Sequence, residues 1–225
     1  LIRKFRPALT NSEFIGYFGI AAAASLLIAV DLLGDYYDSF WTALRYAFFQ
    51  VSSVMTTTGF ATTNFDLWPS FSKAILVLVM FIGASAGSTG GGIKVSRILL
   101  LAKTAKQEIV KMLNPRRTSA VRMDGHTVEI TTIRAALVFF TLYITITFIS
   151  TVIVALDGFD LVTTFTSVVT CISNVGPGLG EVGPMGNFSA FSDISKLILS
   201  ADMLLGRLEI FPILILFTPS TWRKK

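Results

Sequence analysis

The chain has 225 residues, 52% of them hydrophobic and only 15% charged, with a mean hydropathy of +0.68 and a net charge of +5. A soluble domain carries about 25% charged residues, so nineteen phenylalanines against fourteen acids exclude an ordinary water-soluble fold and point to lipid as the solvent. The lone Cys171 excludes an internal disulfide, the lone His126 excludes a histidine-built metal centre, and the basic residues sit between and beyond the apolar runs rather than in a nucleic-acid motif.

A basic arm with Arg3, Lys4 and Arg6 precedes the first apolar run, Phe14 to Leu33, whose Gly and Ala content suits a membrane helix packed on other helices. The chain starts at Leu1 and reads as part of a longer polypeptide without a cleavable signal peptide. An acidic connector leads to a shorter mixed segment, Ser39 to Met55, ending in Thr56-Thr57-Thr58-Gly59-Phe60. A second apolar run, Phe71 to Ile82, breaks at the glycine-dense stretch Gly83 to Gly92 and resumes as an amphipathic segment from Ile93 to Leu113. At roughly 1 kcal/mol lost per Gly relative to Ala, that break cannot stay helical. Asn114-Pro115 closes the unit and a polar linker runs to about Thr132.

The pattern then recurs. Ala135 to Leu156 is a strong span, Asp160 to Ile172 a short mixed segment, and Ser173-Asn174-Val175-Gly176-Pro177 a second glycine turn before the last apolar run, Ile194 to Phe217. Phe48 and Gly59 map onto Phe165 and Gly176 at an offset of 117, and Ser72-Lys73 maps onto Ser195-Lys196 at 123. The division predicted is 1–113, a linker at 114–132, and 133–225: two helix, pore-helix, helix repeats of an all-α membrane protein with four full crossings and two re-entrant segments.

Fourteen of the nineteen basic residues lie in the N-terminal arm, the region from Arg97 to Arg134 and the tail. The positive-inside rule places both termini and the linker in the cytoplasm. Short segments that dip into the bilayer must have their non-helical ends buried in protein or lining water. Both end in a glycine turn with small or hydroxyl neighbours, as a filter of backbone carbonyls around a dehydrated ion requires. A phosphate-binding loop is the rival for Gly83 to Gly92. It needs Lys directly after the last Gly and then Ser or Thr, whereas here Ile93 intervenes before Lys94 and Val95 follows.

The strings SSVMTTTGFAT, GASAGSTGGGIKVSR, SNVGPGLG and LLGRLEIFP together resemble the Trk/Ktr/HKT superfamily of cation transporters, above all its bacterial TrkH branch. The resemblance covers essentially the whole chain. It implies a pseudo-fourfold potassium pathway of four such repeats, of which this chain supplies the third and fourth. It further implies filter strands Thr56, Thr57, Thr58, Gly59, Phe60 and Ser173, Asn174, Val175, Gly176, Pro177, with potassium held at Thr57, Thr58, Asn174 and Val175. The gate becomes the intramembrane loop with Gly83, Gly87, Ser88, Gly90, Gly91 and Gly92, opposed by Arg207. Arg207 is read as an electrostatic barrier, with a structural ion pair to Asp202 or Glu209 as the alternative. The partners implied are the N-terminal half of the transporter or a second copy, a cytosolic nucleotide-binding regulatory subunit like TrkA or KtrA, and a homodimer of full transporters. The location implied is the bacterial inner membrane, with potassium as cargo, no organic cofactor, no nucleic acid and no enzymatic chemistry. Sodium or unselective cation passage, or a non-conducting assembly fragment, are the alternatives on the same scaffold.

Overall fold

The computed structural model describes residues 11–114 and 120–208. It is helical almost throughout. Helix α1 runs Ser12–Asp31, α2 Phe40–Met55, α3 Ser70–Ile82, α4 Val95–Leu113, α5 Ile130–Val154, α6 Leu161–Ser173 and α7 Asp193–Arg207. Two-residue strands β1 (Arg122–Met123) and β2 (His126–Thr127) form a hairpin between α4 and α5.

Local chemistry sets these bounds. Asn11 Oδ1 accepts from the N–H groups of Glu13 and Phe14, so α1 starts capped, with Glu13 in the first turn where a negative charge favours the helix dipole. Asp160 caps α6 through Val162 and Thr163, and Ser192 caps α7 through Ser195. Helix α5 is rich in β-branched and aromatic residues that would favour a strand in water. In lipid only a helix satisfies its own backbone, and the hydroxyls of Thr141, Thr147 and Thr151 bond back to carbonyls one turn earlier.

Two helices, Ser12–Asp31 and Ile130–Asp157 with its 3₁₀ extension, are long and apolar enough to cross a bilayer. Only 28% of each apolar window is buried, so most of both spans faces outward. Helix α3, with 13 residues, is about 20 Å long and too short to cross alone. The four full crossings expected from sequence therefore reduce, among the described residues, to two uninterrupted ones. The apolar run after α2 is broken into α3, a loop and α4. Helix α7 is described only to Arg207, and the predicted continuation to Phe217 lies outside the described residues.

The order long helix, shorter helix, 3₁₀ turn, helix occurs twice. Its hydrogen bonds repeat with it. Thr58 N–H donates to Ser53 O at 2.9 Å and Val175 N–H to Thr170 O at 3.0 Å. Ser53 Oγ donates to Phe60 O at 2.6 Å, and Thr170 Oγ1 to Pro177 O at 3.1 Å. All three residue pairs keep the 117 offset. Lys73 Nζ donates to Asp66 O and Lys196 Nζ to Ser189 O, both at 3.1 Å and at offset 123. At the end of each long helix an aspartate clasps the start of the helix that follows the glycine turn of its unit. Asp31 Oδ2 accepts from Ser72 N and Oγ, and Asp157 Oδ2 from Ser192 N.

The first core packs small faces of α1 (Ala21, Ala24, Ala29) on Ala43 and Ala47 of α2, with Leu76 and Met80 of α3. It continues into the second unit through Val169, Val175 and Leu179. Phe81 of α3 sets its ring 6.0 Å from Phe165 of α6 and 6.1 Å from Tyr143 of α5. The linker departs from the polar segment expected. Its hairpin packs Val121 on Leu100 and Ala136, and α5 begins at Ile130 inside the predicted linker. Residues 115–119 of that linker are outside the described set.

Candidate functional site

Helices α2 and α6 end side by side. Thr56 is the C-terminal cap of α2, its Oγ1 bonded to Ser52 O at 2.7 Å and to Thr58 Oγ1 at 2.7 Å. Its counterpart Ser173 is the last residue of α6, fully buried, with its Oγ 2.8 Å from Tyr143 Oη. The next residues adopt the same alternation in both units. Thr57 and Asn174 both have φ of +56°, and Gly59 and Gly176 have φ of +78° and +112°. Positive φ in a non-glycine residue is uncommon and costs energy, so its recurrence at matched positions marks a built conformation. Gly59 has no room for a side chain: a Cβ there would collide with the Val175 carbonyl oxygen and lie 3.3 Å from Pro177 Cδ.

The two turns share one cavity of about 450 Å³, lined by Thr57, Thr58, Asn174, Val175, Gly176 and Thr170 among others. Phe60 and Pro177 follow in sequence as the accepting ends of the Ser53 and Thr170 bonds. The Asn174 amide donates to Met203 O at 3.1 Å. That bond turns the side-chain nitrogen to α7 and leaves both the backbone oxygen and Oδ1 as acceptors.

The glycine stretch forms a loop closed at its base. Ile93, Lys94 and Val95 donate their N–H groups to Phe81, Ile82 and Ala84 carbonyls at 2.9 to 3.1 Å. Gly83 and Gly92 meet face to face there. The loop lies directly against both turns. A Cβ on Gly91 would collide with the Ser173 carbonyl, and one on Gly90 would sit 3.0 Å from Thr57 Oγ1. Ser88 Oγ bonds within the loop to Ser85 O at 2.7 Å, and Gly87 is at the open tip.

Besides Lys94, whose Nζ donates to Ala86 O at 3.5 Å, charged side chains reach the loop from each of the two units. Arg207 Nη1 donates to Thr89 O at 2.6 Å. Glu13 Oε1 accepts from Ala86 N–H. Asp202 bonds Ser150 Oγ at 2.9 Å and is buried, while Glu209, the other acid considered for Arg207, lies outside the described residues. Glu13, Tyr143, Ser53 and Thr170 are the residues that sequence reasoning missed. An acid in the first turn of a membrane span was the available signal for Glu13. The 117 offset links Ser53 to Thr170, and no local signal marks Tyr143.

A family model described as TrkH, cation transport protein, matches residues 37–224. The chain belongs to the TrkH family. Among curated relatives it is 38% identical over 223 residues to the Trk system potassium uptake protein TrkH of Salmonella typhimurium, covering 99% of this chain and 46% of that protein. It is 38% identical over 225 residues to the Trk system potassium uptake protein TrkG of Escherichia coli, covering 98% of this chain and 45% of that protein. The crystal structure of the potassium transporter TrkH from Vibrio parahaemolyticus superposes with a TM-score of 0.86 at 37% identity, covering 95% of this chain and 45% of that one. The chain thus spans a little under half the length of its TrkH-family relatives. Membership makes it an all-helical membrane protein of a transporter family.

Proposed function

We propose that this chain forms two of the four walls of a potassium uptake pathway, each unit contributing a membrane helix, a re-entrant pore helix with a filter strand, and a second helix. The observation that carries this is the matched alternation of φ at Thr57/Gly59 and Asn174/Gly176, on two strands that face one cavity. Alternating signs of φ turn successive peptide planes over. Carbonyls that point to opposite sides in a strand are thereby brought to one side, where they can replace an ion's hydration shell. Helices α2 and α6 add the partial negative charge of their C-termini. Potassium is the cargo, held by the oxygens of Thr57, Thr58, Asn174 and Val175, and no covalent chemistry is involved.

The loop from Gly83 to Gly92 is the gate beneath these strands. Its contact with Thr57 and Ser173 blocks the inner side of the cavity, and Arg207 both anchors Thr89 and sets a positive charge against cation passage. Opening requires the loop tip and the guanidinium to move aside.

Two strands do not encircle an ion. Phe165 of the second unit packs against Phe81 of the first, whereas its counterpart Phe48 is 57% exposed. The missing partner of Phe48 is a helix like α3 from a preceding repeat, supplied by an N-terminal half or a second copy. The hydrogen bond from Ser12 N–H to Asp124 Oδ1 sets the start of α1 beside the linker. With the basic residues around it, this supports a cytoplasmic side for both in a bacterial inner membrane. That face is also where a cytosolic nucleotide-binding regulatory subunit and a homodimer partner of the full transporter would act.

The test is potassium uptake by the full-length protein in cells lacking other uptake systems, with sodium flux measured alongside. Gly59→Ala and Gly176→Ala each abolish potassium uptake in this reading. Uptake at the unsubstituted level in both variants would reject it, and sodium flux matching potassium would replace a selective filter with an unselective path.

A further inference from the structure

Two cavities follow one another along the linker-facing side of α4. The first, about 490 Å³, is lined by Leu100, Met123, Val128, Ala135 and Ala136 with Arg97 beside them. The second, about 390 Å³, is lined by Lys103, Lys106 and Arg122 with Val110 and Val121. Leu100 and Lys106 are about 9 Å apart along the helix axis. The face therefore changes from apolar to basic over the length of a headgroup and the start of its acyl chains.

Charge favours an anion at the basic end. Its lining holds three cations and no carboxylate. The nearby Asp124 accepts from Ser12 N–H at 2.7 Å, and bonds to Ser12 hold its carboxyl below the usual range, with a smaller contribution from Lys103. Lys103 spends one of three N–H donors on Arg122 O at 3.3 Å. The apolar end is open between α4 and α5, and Ala135 is exposed there.

We propose that this face binds an anionic phospholipid of the cytoplasmic leaflet, with its phosphate on Lys103, Lys106 and Arg122 and an acyl chain against Leu100, Val128 and Ala135. Basic pockets beside membrane helices on the cytoplasmic side recognise such headgroups. The inference rests on the membrane orientation proposed above and is independent of ion selectivity. A bound lipid would pin the hairpin against α4, and the hairpin in turn holds Ser12 next to Glu13 and the loop.

The test is native mass spectrometry of the full-length protein in detergent with dioleoylphosphatidylglycerol or dioleoylphosphatidylcholine. The anionic lipid is retained preferentially. Lys103→Gln with Lys106→Gln weakens its binding roughly thirtyfold, at about 1 kcal/mol per charge. Ala135→Trp, which fills the apolar cavity and leaves every charge in place, weakens it as well. Glycerol 3-phosphate, a headgroup without chains, does not compete. Equal retention of the two lipids, unsubstituted binding by either variant, or effective competition by glycerol 3-phosphate overturns the proposal. So does loss of a cytosolic protein partner in the double lysine variant with lipid binding unchanged. Potassium uptake read on the same variants keeps a failure here separate from a failure of the transport reading.

Discussion

Glu13 and Ala86 are 73 positions apart, yet the Glu13 carboxylate holds the Ala86 amide, one of the few bonds to the outer half of the glycine loop. A charged acceptor makes a hydrogen bond worth about 1.5–3 kcal/mol. Glu13→Gln keeps the shape and removes the charge. Amide hydrogen exchange at Ala86 should rise about tenfold while exchange at Ile93 to Val95 in the loop base stays put. At Ser173 the neighbouring hydroxyl of Tyr143 is the concern, since both groups are buried. Tyr143→Phe leaves Ser173 Oγ unpaired at that contact, and unfolding in detergent should show a loss of about 1–2 kcal/mol. Contacts of this kind are not legible in sequence, because Tyr143 in a run of aromatic and β-branched residues looks like any lipid-facing side chain. The backbone turns at Gly59 and Gly176 were legible. Glycine at matched spacing announces an unusual backbone, and the structure adds that Thr57 and Asn174 share it.

Among the elements, α7 shows how an acid at the end of one span steadies the next helix, since Asp157 Oδ2 accepts from Ser192 N–H at 2.9 Å. A charged acceptor of this kind is worth about 1.5–3 kcal/mol. Asp157→Asn should raise amide exchange at Ser192 about tenfold and leave exchange in the middle of α5 unchanged. At the other end of α7, Arg207→Ala removes both the Thr89 anchor and the positive charge. Potassium flux through the full-length protein should rise, and unchanged or lower flux with normal expression would contradict a barrier role. The helix starts were readable from apolar runs to within about two residues, except that α5 begins at Ile130 rather than Ala135, because lipid dictates both length and composition. The hairpin at Arg122–Thr127 was not. Two-residue strands have no periodicity to detect, and Val121 against Leu100 is a long-range contact.

At the scale of the whole molecule, apolar surface is unevenly partnered. Trp41 and Phe48 of α2 are 76% and 57% exposed, while the matching helix of the second unit is covered by α3. Expressed alone, the chain should carry no potassium. Co-expression with the preceding half should restore uptake, and Phe48→Asp should prevent that rescue; uptake by the isolated chain would show instead that copies of it assemble into a pore. The repeat behind this asymmetry was visible as two sequence offsets, 117 and 123. The structure accounts for both, with one set of hydrogen bonds in each glycine turn and another at each outer clasp. The closed base of the loop carries a last consequence. Because Ile93, Lys94 and Val95 fasten the returning chain to Phe81, Ile82 and Ala84, the tip can rearrange without changing how far α3 and α4 reach through the lipid. Under the proposed gating role, switching between conducting and blocked forms requires no stretching or tilting of α3 and α4, and thinner or thicker host bilayers should leave its equilibrium where it was.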